Sequence, residues 1–455
     1  MASRNGLIAL VLLAACASPT QPQYTLDYVV ENVDVVDVRE GKILEDQTVS
    51  IDKGRIVAIG PNAAGKADVL IDGTGKFLMP GLAEMHAHIP QPSPGRDMTK
   101  PYLFLYLSNG ITTIRGMLGH PSHLQLREDV LNGSILGPRI FTSGPSLNGN
   151  SVQSVAAATE MVTEQAEAGY DFLKLHPGIK LDVFDEIVRT ANEKGIPYAG
   201  HVSVFVGVDH AIESKYASID HVDGFLEGLV PDNAKVDAES NGFFGFNFSE
   251  LADQEAINTL AASTKDHGVW VVPTQSLFER WASPSDAKML GSTPEMAYMP
   301  ASTVQNWIKS KENLTKSEAF TDERWELFIE IRRQLIKALH DKGQGLLLGS
   351  DAPQVFNVPG FSIHHEMAGM LRSGLTPLEI LQSGTINPAR FFGMDEEFGE
   401  VKEGRVADLI LISGNPLESL SNIKEPAGVF VRGQYLSRER IDEELLLIAQ
   451  MTKNI

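Results

Sequence analysis

The chain is expected to fold as an α/β protein, a (β/α)8 TIM barrel with a small β-sandwich domain built from the N- and C-terminal segments. Three observations predict this. The middle of the chain alternates short β-branched runs with helical stretches, the pattern of parallel strands joined by crossover helices. Both ends carry alternating apolar strands instead. Metal-competent side chains recur at the ends of the middle strands, where barrels carry their chemistry. A length of 455 residues suits a barrel of about 250 residues or more plus an accessory domain.

Residues 1–22 are expected to be a lipoprotein-type signal and linker. Arg4 precedes the short apolar run from Leu7 to Ala15, which is too short to span a bilayer. Leu13-Ala14-Ala15-Cys16 resembles a bacterial lipobox, which implies lipidation of Cys16 and export to the periplasmic face of a membrane. Ala17 after the cysteine, rather than Asp, favours the outer membrane. The competing reading is an ordinary cleaved signal with an incidental cysteine, leaving a periplasmic or secreted protein. Cys16 is the one cysteine, so an internal disulfide and a thiolate metal cluster are both excluded. A net charge of −21 disfavours nucleic acid and anionic lipid, so the expected membrane contact is the lipid anchor alone. The expected partner is a small-molecule substrate, and a homo-oligomer is compatible with the composition.

Residues 23–76 read as the N-terminal part of the β-domain. Val29 to Val38 is β-branched and roughly alternating, and Gln47–Ile51 with Arg55–Ile59 continues it across the turn Asp52-Lys53-Gly54. Residues 77–395 read as the barrel, with strands at Phe77–His88, Ile111–Arg115, Arg139–Ser143, Tyr170–His176, Pro197–Val202, Ala217–Val222, Val269–Thr274 and Gly345–Asp351. Ala156–Ala168 and Val183–Lys194 are helical stretches between them. Residues 396–437, with Ala407–Ile412 and Gly428–Gly433, return to the β-domain, and 438–455 form a C-terminal helix.

The strand ends carry the chemistry. His86 and His88 stand at i and i+2 after an apolar run, so on a strand both rings face one side and can address one cation. Lys174 and His176 end the fourth strand, His201 the fifth, His221 the sixth and Asp351 the eighth. Alone, His201 or His221 could be a bonded core histidine and Asp351 a turn cap. Together they point to metal.

The chain resembles the amidohydrolase superfamily, in its imidazolonepropionase-like and prolidase-like branch of metal-dependent hydrolases. The resemblance rests on Pro80-Gly81-Leu82 before His86-x-His88, Gly110-Ile111-Thr112-Thr113-Ile114-Arg115, Gly137-Pro138-Arg139 and Asp171-Phe172-Leu173-Lys174. It continues through Gly200-His201, Asp220-His221, Val272-Pro273-Thr274, Gly349-Ser350-Asp351, His364-x-Glu366 and Gly399-x-x-x-x-Gly404-x-x-Ala407-Asp408-Leu409. It implies two divalent metal ions, zinc by preference. His86, His88 and Asp351 would hold the more buried ion, and His201 and His221 the other. Lys174 would bridge them as a CO2-derived carbamate, since an ammonium offers no acceptor. The alternatives for Lys174 are an ordinary buried lysine paired with a carboxylate, or a one-metal enzyme without the bridge. The resemblance further implies a metal-bridging hydroxide that attacks an amide or peptide-like C–N bond, with Asp351 as base and then acid. His176, Arg115 and His364 are weaker candidates for contact with substrate or with the ligands.

One departure stands out. Many prolidase-like relatives carry Gly-Gly-His-Gly after the third strand, where this chain has Gly144-Pro145-Ser146-Leu147-Asn148-Gly149-Asn150-Ser151, so the resemblance does not by itself imply dipeptidase activity. Long insertions at about 223–249, with Phe243, Phe244, Phe246 and Phe248, and about 275–318, with Trp281, Tyr298 and Trp307, either line a pocket or pack on each other. Two further functions compete with amide hydrolysis. A lactonase, cyclic-imidazolone hydrolase or deaminase would use the same site, and a non-catalytic periplasmic metal-binding lipoprotein would need only the ligands.

Overall fold

Val29, Val30, Val33, Val35 and Val36 bury β-branched side chains along the strand Leu26–Asp37. The computed structural model describes residues 25–61, 63, 65–92 and 97–453, so the expected lipobox and Cys16 lie outside the described residues. Leu26–Asp37 pairs antiparallel with Lys42–Asp52 on one edge. On the other edge it pairs in parallel with Ala67–Asp72 and then with Phe77–Pro80. Beyond Phe77–Pro80 the sheet continues into Leu409–Ile412, Gly428–Val431 and Gln434–Ser437, and Arg55–Gly60 lies at its other end. Eight strands from both chain ends thus form the expected shared β-rich domain. Hydrogen bonding runs unbroken through it, where two stacked sheets were expected. Register shifts on both sides of Val33 bend the sheet, and its apolar cluster includes Val30, Val33, Val49, Leu78, Leu409 and Phe430.

The apolar run from Phe77 to His88, expected as one strand, is two. Phe77–Pro80 belongs to the terminal sheet and Leu82–Ala87 to an inner, parallel one. Gly81 separates them, and a Cβ there would lie 2.1 Å from Thr112 Oγ1, so only glycine permits this approach.

Leu82–Ala87, Ile111–Gly116 and Arg139–Thr142 pair in parallel. So do Leu173–Leu175, Tyr198–Gly200, Ser218–Asp220 and Trp270–Val272. A bridge between Ser143 and Phe172 joins the two sets. Gly345 to Asp351, expected as a strand, forms no regular ladder. Single parallel bridges, Val271 to Leu346 and Ala87 to Ala352, still seat this segment between the last strand and the first. Parallel pairing therefore passes through eight segments and returns to its start.

Helices flank these strands with the stop and start signals their sequences carry. Ser154 caps Val155–Ala168 by accepting from the Ala157 N–H, and Gly169 ends that helix in a left-handed conformation. Leu181–Lys194 buries Val183, Phe184, Ile187, Thr190 and Ala191 along one face. The two insertions are largely helical rather than open loops, including Phe243–Leu251, Gln275–Arg280 and Ala301–Thr315. Phe246 stacks on Phe320 at 4.6 Å and Trp307 meets Phe356 edge-on at 6.2 Å, so most of the insertion aromatics pack the insertions down. The chain ends in Arg438–Thr452, which buries Ile441 and Ile448. Among the described residues no helix is long and apolar enough to cross a membrane.

Candidate metal centre

Asp351 stands at the middle of the site. Its Oδ1 lies 2.6 Å from His88 Nε2 and 3.4 Å from His86 Nε2, and its Oδ2 lies 3.9 Å from His221 Nδ1. Donor atoms of His86, His221 and Asp351 all fall within 4.8 Å of one another, and all three residues are buried. The imidazole rings continue outward as a row. His86 and His221 are 4.4 Å apart, His221 and His201 4.5 Å, and His201 and His176 4.9 Å.

Backbone geometry at the strand ends makes this convergence possible. Alternation along a strand would send Asp220 and His221 to opposite faces. His221 instead has φ +65°, Thr274 +46° and Asp351 +63°, which turns the chain sharply where each strand ends. Non-glycine residues in this region cost on the order of 1–3 kcal/mol each and persist where their surroundings hold them. For His221 the holder is Arg332, fully buried, which donates to the carbonyls of His221 at 2.8 Å and Pro273 at 3.1 Å. Thr274 Oγ1 bonds His221 Nδ1 at 2.9 Å, leaving Nε2 free. Asp223 Oδ2 does the same for His201 Nδ1 at 2.9 Å.

Lys174 is fully buried, with Nζ 3.7 Å from Asp220 Oδ2. Its stem passes Gly200, where a Cβ would lie 2.9 Å from Lys174 Cδ and 2.4 Å from the Leu175 carbonyl oxygen. Asp220 Oδ2 is also 3.0 Å from His86 Nδ1, while its Oδ1 accepts from Arg115 at 2.9 Å and from Ser218 at 2.9 Å. Arg115 is therefore a buried support beneath the site. It bonds the Met85 carbonyl at 2.7 Å and lies between the rings of Phe172 and Phe391.

The electrostatics suit a cation. Burial, with the charge of Lys174 next, holds His86 well below the usual imidazole range and lowers His201 to about 3. Burial and the neighbouring His86 hold His221 well below that range too. These rings are neutral at pH 7, the form in which imidazole binds metal. His88 Nδ1 and Lys174 Nζ are buried with no hydrogen-bond partner, and His86 Nδ1 and Asp220 Oδ2 approach to 3.0 Å without the alignment of a hydrogen bond, an arrangement that costs stability unless something else satisfies it. Neutral imidazoles with a carboxylate form a donor set that fits a zinc-type dication.

The structure thus brings His86, His88, Lys174, His201, His221 and Asp351 together. His176 joins at the mouth, with Nδ1 bonded to Ser146 Oγ at 2.6 Å, and burial lowers it to about 2. His364 goes elsewhere and bonds Asn109 Oδ1 at 3.0 Å. Asp220, Glu84 and Arg332 were missed from the sequence, whereas Phe244 was among the insertion aromatics named there as pocket lining or packing. Glu84 was findable, since the alternation that pairs His86 with His88 also turns Glu84 inward. Phe244, from the first insertion, has its ring 5.5 Å from His221 and 5.8 Å from His201, walling one side of the mouth.

Residues 77–436 match the model of the amidohydrolase family. The 5-methylthioadenosine/S-adenosylhomocysteine deaminase of Thermoanaerobacter pseudethanolicus is 26% identical, over 85% of this chain and 85% of that protein. The adenine deaminase of Mesorhizobium japonicum is 21% identical over 85% of this chain, which spans only 54% of its length. Among solved structures, bottromycin amidohydrolase superposes with a TM-score of 0.70 at 22% identity, covering 93% of this chain and 90% of that one. A putative prolidase from Bifidobacterium longum gives 0.66 at 22% identity, covering 94% and 100%. These likenesses show a shared fold.

Proposed function

The chain belongs to the amidohydrolase family, and from that premise we propose that it cleaves a C–N bond in a small amide or peptide-like substrate with the help of two zinc ions. The observation that carries this is Asp351, whose carboxylate touches His86 and His88 from one strand end and faces His221 from another. We read the ring of eight parallel segments as a (β/α)8 barrel with this site at the C-terminal ends of its strands. His86, His88 and Asp351 would hold one ion and His201 and His221 the other, with Lys174 as a carbamate between them. Bound there, the ions would supply an acidified water and a Lewis acid for the carbonyl oxygen.

The side chains do the rest. Asp351 accepts the proton of the attacking water and passes it to the departing nitrogen, because an unprotonated amine leaves poorly. His176, fixed through Nδ1 by Ser146, keeps its other nitrogen for a polar group of the substrate. Phe244 offers an apolar face beside His201 and His221, at 5.8 and 5.5 Å, and keeps water from them. The proposal extends to location, with Cys16 as a lipid anchor on the periplasmic side of a bacterial membrane.

The runner-up is deamination, which is what the names of two relatives state for those proteins. A panel of N-acyl amino acids, dipeptides, lactones and adenine nucleosides, offered to zinc-loaded protein, separates the readings. Turnover of amides supports the proposal; turnover of nucleosides alone or of lactones alone replaces it. No turnover with full zinc loading would leave a metal-binding lipoprotein.

Lys174 gives a separate test. Lys174→Ala is expected to lower bound zinc from two ions per chain to one, measured by elemental analysis after gentle purification. Two ions retained would remove the bridge from the proposal.

A further inference from the structure

Asp351 adopts a left-handed backbone, φ +63°, and what holds it there lies one residue earlier. Ser350 is gripped from both sides. Glu84 Oε1 accepts its N–H at 2.6 Å, and Glu84 Oε2 accepts its hydroxyl at 2.7 Å. Asn357 Nδ2 donates to its carbonyl at 2.5 Å and to Ser276 Oγ at 3.2 Å. Glu84, Ser350 and Asn357 are fully buried, so water cannot replace any of these bonds.

The same carboxylate reaches the opposite strand. Glu84 Oε1 also accepts the His86 N–H at 3.2 Å, while the Asp351 N–H donates to the His86 carbonyl at 3.0 Å. Gly349 leaves room for this crossing, since a Cβ there would lie 2.8 Å from His86 N and 3.2 Å from Glu84 Oε1. The segment carrying Asp351 has no regular strand ladder of its own; single bridges and backbone bonds at Leu347, Leu348 and Ala352 seat it, and at Ser350 itself the side-chain bonds hold it.

We propose that Glu84 and Asn357 are positioning residues, a two-sided clamp on Ser350 that keeps Asp351 in its left-handed conformation with its carboxylate against His86 and His88. The clamp rests on the reading of Asp351 as a metal ligand and proton carrier. It does not touch substrate and acts only through Ser350.

The test uses the full chain with Glu84→Leu, Glu84→Gln and Asn357→Ala. Leucine nearly matches the volume of Glu84 but offers no acceptor. Glutamine keeps one oxygen for the two backbone N–H groups and an amide that can donate to Ser350 Oγ. Two readouts are taken. Amide hydrogen exchange of the peptide spanning 346–358 is followed in metal-free protein, and zinc affinity is measured by competition with a chromophoric chelator.

Glu84→Leu and Asn357→Ala are expected to speed exchange there by about tenfold or more, with Glu84→Gln within about threefold of the parent. Zinc affinity is expected to fall by about 10–100-fold in the first two variants and to be kept in the third. A structural role confined to packing would leave Glu84→Leu like the parent. Should Glu84→Leu fail to fold, Asn357→Ala decides alone. Parental exchange in the folded variants overturns the clamp, and so does a Glu84→Gln as impaired as Glu84→Leu. A parent chain that takes up no zinc overturns the metal reading instead, and the exchange data still decide the clamp.

Discussion

On the function proposed above, Asp351→Asn is expected to give a folded, zinc-loaded protein whose turnover of an amide substrate is about 10²–10⁴-fold slower. The two side chains have nearly the same shape, and Asp351 is 4% exposed, so packing around it is kept. The amide oxygen of asparagine can still face the imidazoles that surround the carboxylate at 2.6 and 3.4 Å. It cannot accept a proton near neutral pH. Both the activation of water and the departure of the amine then lose their proton carrier. The loss should appear in kcat more than in KM, because the missing interaction belongs to the chemical step. A kcat within about twofold of the parent, with zinc content unchanged, would take the acid–base role away from Asp351.

Arg115→Leu is expected to destabilise the protein by about 3–5 kcal/mol, the cost of breaking a buried ion pair by removing one partner. Arg115 and Asp220 are both fully buried, and the guanidinium makes three bonds, to Met85, Ser218 and Asp220. Without it the Asp220 carboxylate keeps the Ser218 hydroxyl at 2.9 Å, His86 Nδ1 at 3.0 Å and Lys174 at 3.7 Å, with no guanidinium to balance its charge. Such a loss is a large share of the ~5–15 kcal/mol by which most domains are stable. A clear fall in melting temperature is the readout. An unchanged melt would mean that Asp220 does not depend on Arg115 in the folded chain, against the geometry found for it.

Most of the candidate site was legible because its candidate ligands end strands, and strands can be read from β-branched runs and breaks. His86 and His88 follow from alternation alone, and Lys174, His201, His221 and Asp351 each close an apolar run. Supporting residues were harder. Arg332 lies in the long helix Asp322–Asp341, more than a hundred residues from His221, and no local pattern links them. Asp220 was hidden by its neighbour, because the alternation rule points it away from the face on which His221 was placed. His364 stood out only through family resemblance, and its partner is Asn109.

Residue types and their periodicity by themselves determined that this chain builds parallel strands with helices between them, a shared sheet from its two ends, and a set of imidazoles and one carboxylate at the strand ends. Those are short-range properties, written in alternation, capping and spacing. Only the tertiary structure decided where the run from Phe77 to His88 breaks, that Gly345 to Asp351 is seated by single bridges, and which buried charges hold the ligands. These outcomes depend on contacts between segments far apart in the chain and on left-handed turns at His221 and Asp351. That conformation is costly for a residue with a β-carbon, and at His221 and Asp351 the groups that hold it come from distant segments.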